Sequence, residues 1–219
     1  MNKGYRINIK NPACAILTSD TKEGTEYGPV MSLGEGQTII VTPSVASGAL
    51  YGDGAQQAAE SRLTGMTVAL DTTKVPMEVK AEIYKLQEKD GVLMEEAGGS
   101  AEYIAFGYET EQTDGNSEYV WLLKGKPRPM NDTRQQSDTQ IKYSTDKMEI
   151  DFVRRKSDNM LRYFAEVGTL GFTAEQASQW FQNGPTEPVA KSKVETPEDE
   201  VTEEEPTEGT EGEITEGTE

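Results

Sequence analysis

The side chains of this sequence that could carry out chemistry are almost all carboxylates. The 219 residues include 39 Asp and Glu, 21 Lys and Arg, one cysteine and no histidine. Two carboxylates facing each other across a cleft are the catalytic pair of glycoside hydrolases. The local sequence marks no two carboxylates here as such a pair. We therefore interpret them as solvated surface and predict no catalytic residue.

The lack of histidine excludes further chemistry. Ser-His-Asp and Cys-His catalytic groups cannot form, and one thiolate cannot supply a zinc cage. Residues 112–118, QTDGNSE, lack the acid spacing of an EF-hand loop, and we interpret them as a hairpin turn. Cys14 lies among small and apolar residues, which predicts buried packing. We expect no metal, no cofactor and no enzymatic activity.

A basic segment interrupts the acidic composition at residues 119–134, YVWLLKGKPRPMNDTR. It begins as an apolar strand and continues as a predicted loop containing two prolines. We predict that its cations are exposed, and the resemblance described below implies that they contact acidic faces of a neighbouring protein copy. The alternative partner, the DNA backbone, is disfavoured because an acidic protein body repels phosphates. The candidate basic interface residues are Lys124, Lys126, Arg128 and Arg134, with Arg154 and Arg155 further along the chain.

The elements that would position these residues are mostly strands. Met66 to Asp71 alternates apolar and polar residues, and so does Met148 to Phe152, as expected of half-buried strands. The turn TDGNS predicts a hairpin between two aromatic-rich segments. The other predicted strands are 37–42, 103–110, 118–124 and 160–167.

Two short helices are predicted. The first runs from Pro76 to about Lys89, with an apolar stripe and a cap at Asp90-Gly91. The second follows Gly171, where Thr173 and Gln176 have capping-box spacing.

The 23 residues at 43–65, between two strand signals, are predicted to be a long loop. Loops of this length are uncommon in a compact domain and are usually functional or disordered. This one has its own apolar residues, so it docks onto another chain, covers its own domain or forms a short helix at Ala55 to Arg62. The interface candidates within it are Leu50, Tyr51, Asp53 and Leu63.

The end of the chain has a different composition. Residues 186–219 contain 13 acidic and 2 basic residues, net −11, which leaves −7 of the total −18 for the other 185 residues. Such a segment cannot bury enough apolar surface to offset its chain entropy. We predict a β domain at residues 1–185 and a disordered acidic tail at 186–219.

Five stretches of the sequence are distinctive in their order and spacing. They are ACAILTSD at 13–20, LYGDGAQQAAES at 50–61, KVPMEVKAEIYKLQEKDGVLMEE at 74–96, YIAFGYETEQTDGNSEYVWLLKGK at 103–126 and TDKMEIDFVRRKSDN at 145–159. Together they span roughly residues 4–168 and resemble the major tail tube proteins of phages with long, non-contractile tails. The order and spacing of the stretches make the resemblance specific.

The resemblance implies a mostly β fold of two packed antiparallel sheets, a sandwich or barrel, flanked by a short helix. It implies hexameric rings that stack into a tube through which DNA passes, and a long inter-strand loop that reaches a neighbouring copy. Residues 43–65 occupy the place of that loop. The chain departs from the family at Gln87 to Lys89, where an earlier glycine is expected, and in its acidic tail.

The implied partners are further copies of the chain, a tape-measure protein and other tail proteins, with DNA only in transit. The implied location is the virion tail, assembled in the cytoplasm of the host bacterium, and no membrane partner is expected. The sequence shows neither a signal peptide nor an apolar run of the ~20 residues that span a bilayer. The alternative function is a monomeric β-sandwich that binds or adheres to a ligand through exposed aromatic residues.

Overall fold

The computed structural model describes residues 4–188, and residues 1–186 form one compact unit. The tail predicted from residue 186 lies outside the described residues from residue 189 onward. The described elements are β1 Arg6–Asp20, β2 Thr25–Ser32, β3 Gly36–Gly52, β4 Ala55–Thr72, α1 Met77–Tyr84, β5 Gln87–Lys89, β6 Val92–Met94, β7 Ile104–Gln112, β8 Ser117–Pro127, β9 Asn131–Asp132, β10 Asp146–Phe152, β11 Arg162–Glu166 and α2 Ala174–Gln179.

The main sheet is antiparallel, with the strand order β2-β1-β7-β8-β10-β4-β3. Strand β8 is the corner between two layers. Its residues 118–122 lie between β7 and β11, whereas residues 125–127 pair with β10. The two halves of the path pack on each other, so that Cys14 and Phe106 share one core with Val68 and Ile150. The mostly β fold with a short helix is confirmed, and the two layers belong to one hydrogen-bonded sheet.

The alternation of apolar and polar residues along the strands correctly predicts which residues are buried. Met66, Val68 and Leu70 on β4 are buried, and so are Ile150 and Phe152 on β10. The two strands pair in register. The predicted hairpin between β7 and β8 is also confirmed. Cys14 is fully buried, as predicted, and burial raises the pKa of its thiol to about 12.

The first helix is shorter than predicted. It ends at Tyr84, and Lys85 takes the left-handed conformation (φ 52°) that caps it. The predicted last turn is instead a small hairpin of β5 and β6, in which Asp90 and Gly91 both have positive φ (52° and 77°). Asp-Gly with two positive φ angles favours a tight hairpin turn, and here that preference outweighs helix continuation.

The predicted loop at 43–65 is wrong as well. These residues continue β3 and β4 into a long hairpin, which is closed at Asp53-Gly54 by the same kind of turn (φ 51° and 76°). Strands β1 and β2, which the alternation patterns did not reveal, pair with each other at one end of the sheet order.

The C-terminal segment of the described chain covers the outer face of β8. Helix α2 begins at the predicted capping box, in which Gln176 N donates to Thr173 Oγ1 and Thr173 N donates to Gln176 Oε1. Trp180 and Phe181 then pack against buried Trp121 in a second apolar cluster. Both outer and inner faces of β8 are therefore occupied near Trp121.

Candidate interaction surfaces

Residues 43–65 form a two-stranded ribbon that we call the arm. Strand β10 pairs with β4 only at residues 66–72, whereas the pairing of β3 with β4 continues to Gly52 and Ala55. In the described structure the arm therefore pairs with itself alone and extends past the last body strand. Every described residue from 43 to 64 is exposed, with the single exception of half-buried Gly52.

The four predicted interface residues all lie on the arm surface. Leu50 and Tyr51 are 65% and 69% exposed, and Leu63 is exposed as well. Asp53 is exposed in the turn at the tip of the arm. The structure thus keeps all four accessible, on a ribbon instead of a loop.

The arm has two chemically different faces. Alternate residues of β3 share a face, so Val45, Ala49 and Tyr51 lie on the side that carries Ile39 and Val41 toward the core. Their cross-strand partners are uncharged too. The opposite face carries the arm's ion pair, in which Arg62 Nη2 lies 3.0 Å from Glu60 Oε2. The uncharged face, which we call the inner face, continues the core-facing side beyond the body.

The basic segment is mostly paired within the chain, and its predicted exposure is wrong at Lys124. This residue lies inside β8, and its Nζ is 2.5 Å from Asp20 Oδ2. The two side chains are only 12% and 7% exposed. Burial opposes ionisation of Asp20, but hydrogen bonds from Lys124 and from the Lys156 backbone lower the pKa of its carboxyl.

Arg155 is also predicted as an exposed interface residue and is instead 2% exposed. Its guanidinium contacts the carboxylate of Asp158 and the hydroxyls of Tyr27 and Tyr163. Burial opposes its charge, but these partners raise its pKa above the ordinary value. The cluster ties β2, β11 and the turn after β10 together, so Arg155 stabilises the body and cannot face another chain.

The remaining basic candidates lie at the surface. Arg128 pairs with Glu149 (2.6 Å) and Asp151 (2.7 Å) on β10, and Arg134 pairs with Asp132 and Asp146. Lys126 lies over the ring of Tyr103, and Arg154 is exposed. Four of the six predicted basic residues, Lys124, Arg128, Arg134 and Arg155, therefore pair with the chain's own carboxylates, which corrects the interpretation of the segment as a free basic loop.

Sequence reasoning missed a buried carboxylate, Asp146, that joins three segments. It accepts hydrogen bonds from Val75 N and Lys80 Nζ, each at 2.9 Å, and from Arg134 Nη1 at 3.3 Å. Burial opposes its ionisation, but these donors lower the pKa of the carboxyl. Asp146 begins an alternating strand, and such a polar residue at a core-facing position is the only sequence signal it offers.

These carboxylates predict acid lability. The pKa values of Asp20, Asp146 and Asp158 are all lowered in the fold. Their stabilising effect is complete above the ordinary carboxyl pKa and disappears as pH falls through the lowered values. We expect melting temperatures measured by circular dichroism to fall steeply below about pH 4. Asp146→Asn should lower stability at neutral pH and flatten this dependence, and a melting temperature unchanged down to pH 2.5 would contradict it.

A groove opens between the two layers, beside the start of β1. On its floor Tyr108, Val120 and Phe164 form a cross-strand row on the core-facing side of β7, β8 and β11. Phe164 is nevertheless 64% exposed, because the opposite layer does not extend over it. The groove has a volume of about 590 Å³, and its apolar lining comprises Ile7, Ile9, Ile39, Val41, Val120 and Phe164.

A second cavity of about 670 Å³ continues the groove. The two share Arg6, Glu118 and Phe164, and the second adds exposed Tyr5 and Leu170. Arg6 and Glu118 pair at 2.6 Å, and Arg162 adds a positive charge to the lining of the first groove. This surface was not foreseen from the sequence, because no pattern marks which core-facing positions lack a covering layer.

No family model matches the sequence, and no curated protein matches it. Neither α1 nor α2, the helices within residues 4–188, is long and apolar enough to cross a bilayer. Over that same range no three acidic, cysteine or histidine side chains gather closely enough to hold a metal ion. The arm and the groove both expose apolar side chains at the surface.

Proposed function

We propose that the chain is a structural virion protein whose copies form rings, hexameric in the family it resembles, that stack into a phage tail tube. The observation that carries the proposal is the arm. A two-stranded ribbon is marginally stable alone in water, and this one exposes Val45, Leu50, Tyr51 and Leu63. A ribbon of this kind is stabilised when another chain covers it, and a tube offers every arm an identical neighbour.

The charge distribution supports apolar contact between copies. Lys124, Arg128, Arg134 and Arg155 are occupied by carboxylates of their own chain. Four of the six predicted basic interface residues are therefore already engaged within their own copy. The inner face of the arm is uncharged, and burying it costs no desolvation of charge. DNA would pass through such an assembly without tight phosphate binding.

This distribution predicts an unusual salt response. Each copy carries a net charge of −18, so copies repel one another at low ionic strength. Raising the salt concentration shortens the screening length from ~30 Å at 0.01 M to ~8 Å at 0.15 M. We expect assembly, followed by light scattering, to increase over this range. Assembly that declines with salt would indicate that ion pairs between copies dominate.

The proposal is tested by the size of the purified protein. Sedimentation velocity and negative-stain electron microscopy of the full chain should show rings or tubes at high concentration, with a tape-measure protein supplied where needed to start assembly. A chain that stays monomeric under all these conditions would contradict the proposal. It would favour the alternative, a monomeric β-sandwich binding module.

A further inference from the structure

We propose that the groove of one copy receives the arm of the next copy, so that groove and arm are the two halves of one repeated contact. This inference rests on the proposed self-assembly, and adds the receiving site. The groove is open, and its lining combines the apolar side chains named above, Val120 and Phe164 among them, with polar ones that include Arg6, Glu118 and Arg162. The arm presents the uncharged inner face that such a groove can cover.

The groove requires an added layer. Phe164 lies on the core-facing side of its strand, in register with buried Val120, yet it is largely exposed. Ile7 is exposed beside it. A strand placed over this row would complete the sandwich where the chain's own second layer stops. A β-ribbon with apolar side chains on one face therefore has the correct shape for the site.

The arm fits this description in chemistry as well as shape. Its inner face carries Val45, Ala49 and Tyr51 with their uncharged partners. Its tip carries the carboxylate of Asp53, and the groove rim carries Arg162, whose guanidinium lies 5.1 Å from the ring of Phe164. An acidic tip and a basic rim are complementary in charge, which adds specificity to the apolar contact.

The arm cannot enter the groove of its own chain. It continues β3, whose Ile39 and Val41 form one wall of that groove, and it leads away from the body. Cross-strand pairs extend from residue 36 to the turn at 53–54, with register shifts at residues 36–38, 44–45 and 50–51 of β3. A bulge bends a ribbon without reversing it, so folding back would break this pairing. The occupant is therefore a second copy, in a head-to-tail contact that repeats around a ring.

Phe164→Glu tests the groove directly. A carboxylate placed among the apolar side chains of the groove should raise the protein concentration needed for assembly about tenfold or more. Because Phe164 is exposed, the substitution should leave the fold intact. Ile141→Glu is the matched control, since Ile141 is an exposed apolar residue outside the groove. It should assemble like the wild type. Thermal melts of both variants verify folding.

Mixing two variants identifies the contact itself. A chain that lacks residues 46–52 and 55–62 keeps its groove and loses its arm, and the Phe164→Glu chain keeps its arm and loses its groove. Each should sediment as a monomer. Their equimolar mixture should form a heterodimer that cannot grow, because each chain offers only one half of the contact.

The outcomes separate the two proposals. Assembly of Phe164→Glu at the wild-type concentration, or a mixture that stays monomeric, would overturn the groove assignment. If arm removal abolishes assembly and Phe164→Glu does not, the tube proposal stands and the receiving site lies elsewhere. Wild-type protein that never assembles would count against the proposed function itself.

Discussion

A chain whose arm is cut back to its native turn is expected to fold and to lose assembly completely. Removing residues 46–52 and 55–62 joins Val45 and Leu63 through Asp53-Gly54. Val45 and Leu63 already pair across the hairpin, so the shortened ribbon keeps its register. The two-residue Asp-Gly turn keeps the φ angles that it has at the tip of the full arm.

Loss of the arm should leave the stability of the body nearly unchanged. Residues 43–64 are exposed, Gly52 alone being half-buried, and the buried residues of the sheet begin at Gly65. Shortening a hairpin changes loop-closure entropy slowly with length, so we expect stability to change by less than about 1 kcal/mol. Urea denaturation followed by circular dichroism measures this change, and sedimentation with electron microscopy measures assembly.

Substitutions on one face of the arm test whether its inner-face side chains, and not only its length, are needed for assembly. Changing Val45, Tyr51 and Leu63 together to Thr alters the inner face, whereas Leu50→Thr alters the outer face. The inner-face variant should assemble as poorly as the shortened chain, and the outer-face variant should assemble. A shortened chain without a cooperative unfolding transition would show that the arm belongs to the core. A shortened chain that forms normal tubes would show that the arm takes no part in the assembly contact.

The sequence predicted the strands whose faces differ most in hydrophobicity. Met66 to Leu70 and Met148 to Phe152 alternate because one side meets the core and the other meets water. Alternation carries no such information in β1, where the central residues are buried on both faces by α2 and the core. It also fails in the arm, where both faces meet water, and that is why residues 43–65 were interpreted as a loop.

The Asp-Gly turns were only partly predicted from the sequence. Asp-Gly occurs three times, at residues 53–54, 90–91 and 114–115, and closes a hairpin each time. Only the last was recognised, because strong aromatic strands flank it. At 90–91 a helical stripe preceded the pair and suggested a helix cap. The helix predicted to continue through residues 87–89 instead ends at Tyr84.

The ionic contacts could not be predicted because their partners are distant in sequence. Lys124 and Asp20 are 104 residues apart, and Arg155 and Tyr27 are 128 apart. The sequence distinguishes neither an exposed from a buried lysine at a strand end nor a free from a paired arginine. The groove could not be predicted for a similar reason, because its position depends on where one layer of strands ends above the other.

Loss of Arg155 is expected to remove a large share of the free energy of unfolding, with no specific effect on association. Arg155→Met leaves Asp158 with the Tyr163 hydroxyl and no cation, and removes the guanidinium that donates to the Tyr27 hydroxyl. Breaking a buried ion pair by removing one partner costs about 3–5 kcal/mol. That is a large share of the ~5–15 kcal/mol that stabilises a typical domain. Urea denaturation of the purified variant measures the loss.

Arg128→Met is the matched control for the same change of side chain. Arg128 lies at the surface with Glu149 and Asp151, where water replaces lost partners, so its removal should leave the midpoint nearly unchanged. Lys124→Gln should resemble Arg155→Met in direction, because Asp20 would lose its cation in a buried site. Equal, small effects for all three would mean that Lys124 and Arg155 are solvated in solution, and their role at an interface between copies would then reopen. Large losses of stability for Arg155→Met and Lys124→Gln, but not for Arg128→Met, would show that the stabilising cations of this acidic protein act within a single copy. The arm would then remain as the contact that joins one copy to the next.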